Sequence, residues 1–194
     1  MQTLDLDLTK RYSYADYLTW FDDVRRELID GFINMMSPAP NRFHQKVFGK
    51  VYNHFFNYLK GKICEVYSAP FDVRFPKPKS EKSNKKIYDV VQPDICVICD
   101  PAKLDDKGCL GAPDFIIEIV SLGNAKHDIK KKYELYEKNG VREYWIITPY
   151  EKIVQVFVLE NDKYQLKGTF TDEDQVKVNI FEDLVIDLKD VFAE

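Results

Sequence analysis

The sequence predicts an α/β protein in which helices flank a mixed β-sheet. Two observations support this fold class. The elements read in the order helix, hairpin, helix, strands, helix, strands, and the 12 Tyr and 13 Phe are typical of a sheet-rich fold. The 194 residues, 45% apolar and 31% charged, have globular composition and contain no linker or repeat. We therefore expect one domain spanning residues 1–194.

The first third of the chain predicts two helices separated by a hairpin. "SYADYLTWF" begins with Ser13 as a capping residue. "RRELIDGFINMMS" reads as two short strands joined at Asp30-Gly31, which is a strong hairpin signal. In the following segment, apolar residues recur every three to four positions, which predicts a helix that ends near Gly61.

The rest of the chain predicts strands around one further helix. "ICEVYSAPFDVRFP", "YDVVQPDICVICD" and "APDFIIEIVS" read as strands. "GNAKHDIKKKYELYEKNG" predicts a helix capped by Asn124 and ended by Gly140. "EYWIITP", "KIVQVFVLEN" and "KYQLKGTF" predict the closing strands.

Composition excludes several classes of protein. No apolar run approaches membrane-spanning length, and the N-terminus lacks the pattern of a secretory signal, so we expect a soluble cytoplasmic protein. We expect no organic cofactor, because "GNAKHD" lacks the repeated glycines of a phosphate-binding loop. The four cysteines are expected to be free thiols, since the CxxC of "DICVICD" lies in a strand that points them to opposite faces.

Asp94 and Glu118 are the candidate catalytic acids. If their strands are neighbours, both carboxylates project from one face of the sheet, where they could hold Mg²⁺ for phosphodiester hydrolysis. Many such sites carry a lysine two residues after the glutamate, but Val120 stands there. On a helical wheel, Lys132 falls within the apolar sector of the next helix and so faces the sheet. The competing interpretation is an exposed Lys132 paired with Asp128.

Net charge of −4 does not by itself indicate nucleic-acid binding. The segment "PKPKSEKSNKK" is locally basic and is the predicted contact with DNA phosphates. Its lysines are Lys77, Lys79, Lys82, Lys85 and Lys86. His44 is interpreted as a surface histidine, and Asp114 as a structural residue at the mouth of its strand.

Taken in order, several segments resemble the Uma2 family of the restriction-endonuclease-like PD-(D/E)xK superfamily. They include "ELIDGFINMMSPAP", "HQKV", "APFDVRF", "VVQPDICVICD", "APDFIIEIVS" and "DIKKKYELYEKNGVREYWIITP", from about residue 12 to the C-terminus. The resemblance implies catalytic roles for Asp94, Glu118 and Lys132, and metal binding by Asp94 and Glu118 with Glu27 as a third ligand. Asp72 matches a recurrent aspartate to which no role is given. "SLGN" (121–124) departs from the usual Ser-Pro-Ser-Thr.

The resulting hypothesis is a Mg²⁺-dependent endonuclease acting on DNA, with Mn²⁺ as an alternative ion and a homodimer as the expected assembly. The alternative is a catalytically silent module of the same fold that binds nucleic acid or protein. Hydrolysis of another phosphoester, such as RNA, is a third reading.

Overall fold

In a computed structural model of the chain, residues 3–36, 41–77, 83–120 and 125–193 are described. These residues form four α-helices: α1 (Tyr14–Tyr17), α2 (Arg42–Leu59), α3 (Ala125–Asn139) and α4 (Leu188–Phe192). They also form fourteen strands: β1 (Arg26–Ile29), β2 (Phe32–Met35), β3 (Glu65–Ser68), β4 (Val73–Pro76), β5 (Ile87–Val91), β6 (Ile95–Ile98), β7 (Leu104–Asp105), β8 (Gly108–Leu110), β9 (Phe115–Ile119), β10 (Glu143–Thr148), β11 (Ile153–Glu160), β12 (Lys163–Phe170), β13 (Gln175–Lys177) and β14 (Val185–Asp187). None of the helices so described is long and apolar enough to cross a membrane.

Most strands of the described residues belong to two mixed sheets. The first has the order β2-β1-β5-β4-β8-β7, and the second β12-β11-β10-β9-β6-β3. Strand β9 is antiparallel to β6 and parallel to β10. The fold class is therefore the predicted α/β arrangement, with the strands divided between two sheets.

The second sheet separates two hydrophobic cores because successive side chains of a strand point to opposite faces. Phe115, Ile117 and Ile119 of β9 pack in a core with α2 and α4. Ile116 of β9 packs on the other face, with buried residues of α3 and of the first sheet. Glu118 of β9, and Asp94 directly before β6, lie on this second face, on the side of α3.

Local sequence accounts for the elements around the site. In the β1–β2 hairpin, Asp30 and Gly31 have φ values of 50° and 83°, which match the turn favoured between twisted strands. Helix α2 is capped by Asn41 and buries Val47, Val51, Phe55 and Leu59 at helical spacing. Helix α3 is followed by Gly140 with φ of 83°, as expected for a helix C-terminus. The predicted cap Asn124 and the segment "SLGN" lie outside the described residues.

The prediction of four free thiols is wrong. Cys64 and Cys99 form a disulfide, whereas Cys96 and Cys109 are free and buried. Strand β3 runs antiparallel to β6 with Glu65 opposite Ile98, so the next residue pair outwards is Cys64 and Cys99. This pairing depends on which strands are neighbours, which the spacing of the cysteines does not reveal.

Candidate active site

Asp94 directly precedes β6, and Glu118 lies on β9, the antiparallel neighbour of β6. Ile95 pairs with Ile117, and continuing this register by one residue sets Asp94 opposite Glu118. The backbone N–H of Ile119 donates a 2.7 Å hydrogen bond to Asp94 Oδ2. The prediction that β6 and β9 are neighbours with both acids on one face is thus confirmed.

Lys132 points from α3 into the space between the two sheets. It is 5% exposed, and its ammonium lies 3.0 Å from Glu118 Oε1 and 3.0 Å from Glu27 Oε1. Asp128 is farther from Lys132, at 4.0 Å. The helical-wheel prediction is confirmed, because Lys132 shares its face with the buried Leu135 and Tyr136.

Glu27, on β1, is 1% exposed and is held by groups from β2, from α3 and from the loop after β5. Its Oε1 accepts a 2.9 Å hydrogen bond from the backbone of Gln92 and contacts the Lys132 ammonium. Its Oε2 accepts from Asn34 at 3.2 Å, and Asn34 also donates to Asp128 at 2.8 Å. Glu27 is therefore positioned as a partner of Lys132, and its role as a metal ligand stays a prediction.

The electrostatics of the Glu118–Lys132 pair follow from its burial. Desolvation raises the pKa of Glu118, the Lys132 ammonium opposes this rise, and Asp94 and Glu27 add to it. Desolvation also lowers the pKa of Lys132, but Glu118, Glu27 and Asp128 outweigh it and hold that pKa well above its usual value. Tyr136 donates a 2.6 Å hydrogen bond to Glu118 Oε1. We conclude that Lys132 remains an ammonium inside the protein.

The donor set fits one hard cation held by Asp94 and Glu118. Within the described residues, neither Asp94 Oδ1 nor Glu118 Oε2 accepts a hydrogen bond, and Asp94 is 25% exposed. One ammonium faces Glu27, Glu118 and Asp128, so negative charge is in surplus. Among the described residues, no three His, Cys, Asp or Glu side chains are grouped as a metal site. A magnesium ion here would rely on two carboxylates and on water, as Mg²⁺ commonly does.

Comparison with known proteins identifies a family for this chain. The model of Uma2, described as "putative restriction endonuclease", matches residues 14–189. The chain belongs to the Uma2 family. A crystal structure of a putative nuclease of DUF820 from Anabaena variabilis has a TM-score of 0.71 to this chain at 21% identity, covering 93% of this chain and 97% of that one. At that identity the likeness concerns the fold, and it confirms the predicted fold class.

The chain is also similar in sequence to a protein of Synechocystis sp.. The uncharacterized protein slr1290 of Synechocystis sp. is 24% identical over 139 residues, which are 71% of this chain and 68% of that protein. Membership of Uma2 supports a nuclease.

His44 belongs to the site of this Uma2 protein, which corrects its interpretation as a surface histidine. Its side chain is 13% exposed, and Nε2 lies 2.9 Å from the carbonyl oxygen of Ile119 and 3.6 Å from Asp94 Oδ2. Burial lowers the pKa of His44, but Asp94 and the Ile119 carbonyl outweigh it and raise that pKa. The sequence held a signal for this position, because His44 precedes the buried Val47 and Val51 at the same helical spacing.

Two further residues that the sequence drew attention to have structural partners. Asp72 accepts hydrogen bonds from Tyr14 at 2.8 Å and from the side chain of Gln92 at 2.9 Å, so it orients the residue whose backbone holds Glu27. Asp114 lies just before β9, as predicted, and accepts from the backbone of Cys99 at 2.8 Å and from Arg142 at 3.2 Å. Neither carboxylate contacts Lys132 or Glu118 among the described residues.

Those predicted DNA-contacting lysines that the structure describes lie at the opposite end of β5 from the acids. Lys77, Lys85 and Lys86 are exposed, and Lys79 and Lys82 lie outside the described residues. The ring of Tyr88 lies 5.8 Å from the Lys77 ammonium. Strand β5 begins directly after Lys86 and ends at Val91, a length of about 16 Å. The structure thus separates the described lysines, Lys77, Lys85 and Lys86, from the acids by one strand length.

Proposed function

We propose that this Uma2 protein is a Mg²⁺-dependent endonuclease that hydrolyses DNA phosphodiester bonds, with Mn²⁺ as an alternative ion. The observation that carries the proposal is the buried Lys132 ammonium, 3.0 Å from Glu118, on the face where Asp94 stands opposite Glu118. Membership of a family described as putative restriction endonuclease supports it.

In this proposal Asp94 and Glu118 hold the metal. Asp94 Oδ1 and Glu118 Oε2, which accept no hydrogen bond from a described residue, are the available ligands, and Glu27 is the remaining candidate. When bound, the ion would neutralise charge on the phosphoryl oxygens and lower the pKa of a bound water. The backbone N–H of Ile119 fixes the orientation of the Asp94 carboxylate.

Lys132 supplies a positive charge that is already in position, so its ammonium does not need to move during the reaction. Its ammonium lies 3.0 Å from Glu27 and from Glu118, and 4.0 Å from Asp128. An ammonium preorganised in this way can stabilise the negative charge that develops during hydrolysis, or orient the attacking water. The scaffold that holds it extends through Glu27 to Asn34 and the backbone of Gln92.

His44 acts as a positioning residue in this proposal. It joins the carbonyl of Ile119 and the carboxylate of Asp94 from the α2 side of the sheet. These contacts restrain the two backbone and side-chain groups that flank Glu118.

Cleavage of supercoiled plasmid DNA tests the proposal. We expect Mg²⁺-dependent nicking by the wild type, and a decrease of about 10²–10³-fold or more for Asp94→Asn and for Lys132→Met. Asparagine at position 94 retains an oxygen that can accept from Ile119. Lys131→Met is the matched control, since Lys131 is the adjacent residue of α3 and the structure gives it no ion pair with a described residue.

The opposite result would favour the silent module. If DNA binds but remains intact with Mg²⁺ and Mn²⁺, or if nicking persists in both site variants, the endonuclease proposal is wrong. The homodimer is part of the proposal because two facing sites could cut two strands. Sedimentation equilibrium measures it directly.

A further inference from the structure

A cavity of about 500 Å³ lies beside the proposed site, between the first turn of α2 and the turn that joins β10 to β11. It is lined by Asn41, Arg42, Phe43, Lys46, Tyr150 and Lys152. The lining contains three cationic side chains and no acidic one, on a chain whose net charge is −4. The cavity is therefore a locally positive surface.

Arg42 and Lys46 are the cations with capacity to bind a ligand. Lys152 is paired with Asp172 at 2.7 Å, whereas Arg42 and Lys46 form no ion pair or hydrogen bond with any residue that the structure describes. Their Cβ atoms lie about 5–6 Å apart because they are four residues apart on one helix. Arg42 is the first residue of α2 and so lies at the positive end of the helix dipole, and the first turn of α2 contains no acidic residue that would offset its charge. An anion in the cavity would remove this unfavourable arrangement.

Tyr150 adds an aromatic surface to the same cavity. It is 65% exposed, and its ring centroid lies 5.6 Å from that of Phe43, with the ring planes at 56°. An exposed aromatic ring beside two neighbouring cations can bind a nucleic-acid strand, because the cations contact the phosphates and a base stacks on the ring.

The topology places the cavity and the proposed site at the same end of the second sheet. Strands β9 and β10 are parallel, so Ile119 and the turn after Thr148 lie at the same edge of the sheet. Val120 donates a 2.8 Å hydrogen bond to the carbonyl of Ile147. On the α2 side, Phe43 lines the cavity and the adjacent His44 contacts Ile119 and lies beside Asp94.

We propose that this cavity binds the DNA strand next to the bond that is cleaved. Arg42 and Lys46 contact successive phosphates, and Tyr150 stacks on an unpaired base. The inference deepens the proposed function and rests on it for the identity of the substrate. It assigns DNA contact to a surface beside the acids rather than to the lysines at the far end of β5.

Fluorescence anisotropy of a labelled duplex with a single-stranded tail tests the proposal. Binding is measured in EDTA, so its result does not depend on whether the protein cleaves DNA. We expect Arg42→Gln with Lys46→Gln to weaken binding about tenfold or more and to reduce the slope of log K against log[salt] by about 0.7–0.9 per lost phosphate contact. Tyr150→Ser should weaken binding of the tailed duplex about 5–100-fold and leave a blunt duplex nearly unaffected.

Lys60→Gln is the matched control. Lys60 is exposed at the other end of α2, and its loss should leave both affinity and salt slope unchanged. The proposal is overturned if the wild type does not bind the tailed duplex, or if Arg42→Gln/Lys46→Gln and Tyr150→Ser bind it as the wild type does. Circular dichroism and thermal melting establish that each variant is folded.

Discussion

Two buried glutamates on neighbouring parallel strands differ in the charge of the groups that they contact. Glu118, on β9, is 6% exposed and contacts an ammonium and a tyrosine hydroxyl. Glu143, on β10, is 0% exposed and accepts only from uncharged donors among the described residues. Residue type and burial are nearly the same at the two positions, so the partners decide what each carboxylate does.

Glu143 acts as a structural clamp, which means that its carboxylate holds two segments of the chain together by hydrogen bonds. It accepts hydrogen bonds from the indole of Trp145 at 2.7 Å, from Asn179 at 3.0 Å and from the backbone of Ile180 at 2.8 Å. The last two attach the segment after β13 to the second sheet. Burial raises the pKa of Glu143, and these donors oppose the rise. Both oxygens are satisfied, and we assign the residue a structural role.

Among the described residues, both hydrogen-bond donors of Glu118 contact Oε1, so Oε2 can accept a further ligand. Its neighbour Asp94 is 25% exposed and also retains an unbonded oxygen within the described residues. Lys132 neutralises only part of the surrounding carboxylate charge. Surplus negative charge beside the partly exposed Asp94, rather than burial of an acid, therefore distinguishes the candidate site from the structural role of Glu143.

The largest effect on stability is expected at Lys132. Replacement by methionine leaves Glu27 and Glu118 buried without their ammonium, so Lys132→Met should lower the free energy of unfolding by about 3–5 kcal/mol. Urea denaturation measures this, with Lys131→Met as the control. Adding Glu118→Gln to Lys132→Met should restore part of the loss, since one uncompensated charge is removed. A Lys132→Met protein as stable as the wild type would show that the ammonium does not neutralise these acids.

A smaller loss, confined to stability, is expected at Glu143. Glu143→Ala leaves the donors of Trp145, Asn179 and Ile180 unpaired and should cost about 2–4 kcal/mol. Cleavage per folded molecule should stay at the wild-type level, whereas any site variant loses it. Loss of cleavage in folded Glu143→Ala would break the distinction between clamp and site.

The pH dependence of stability tests whether desolvation or the three donors dominate the pKa of Glu143. Because its pKa is raised in the folded protein, the folded state binds more protons than the unfolded state between the usual glutamate pKa of 4.5 and the folded value. The stability of the wild type relative to Glu143→Gln should therefore fall as pH rises through this window, by at most about 1.4 kcal/mol per pH unit. Urea denaturation of both proteins at a series of pH values measures the difference. A difference that grows with pH would mean that the three donors outweigh desolvation.

Local periodicity explains the parts of the site that the sequence predicted. Alternation along β9 set Glu118 on a defined face, and the helical wheel set Lys132 toward the sheet. Both inferences depend on neighbours within a few residues. The position of Asp94 needed one further condition, that β6 and β9 are adjacent, although residues 99–114 with β7 and β8 of the first sheet lie between them in the chain.

The partners that come from distant segments could not be predicted in this way. Glu27 meets Lys132 because β1 pairs with β5 and the two sheets pack together. The hydrogen bonds from Asn34 and Gln92, the contact of His44 with a backbone carbonyl, and the Cys64–Cys99 disulfide also depend on tertiary contacts. Glu27 was found only through resemblance to Uma2, and that resemblance suggested a metal ligand and gave no indication of its bond to Lys132.

The smallest effect is expected at Asp128, and it separates the two interpretations of Lys132. Asp128 is 43% exposed and lies 4.0 Å from the ammonium, so solvent screens the pair. Asp128→Asn should lower the free energy of unfolding by less than about 1 kcal/mol, and asparagine can still accept from Asn34. Glu27→Gln is the informative comparison, since Glu27 is 1% exposed and 3.0 Å away, and its loss should be clearly larger in the same urea titration. If Asp128→Asn cost as much as Glu27→Gln, Lys132 would be held mainly by its own helix, and its contact with Glu118 would no longer mark the site.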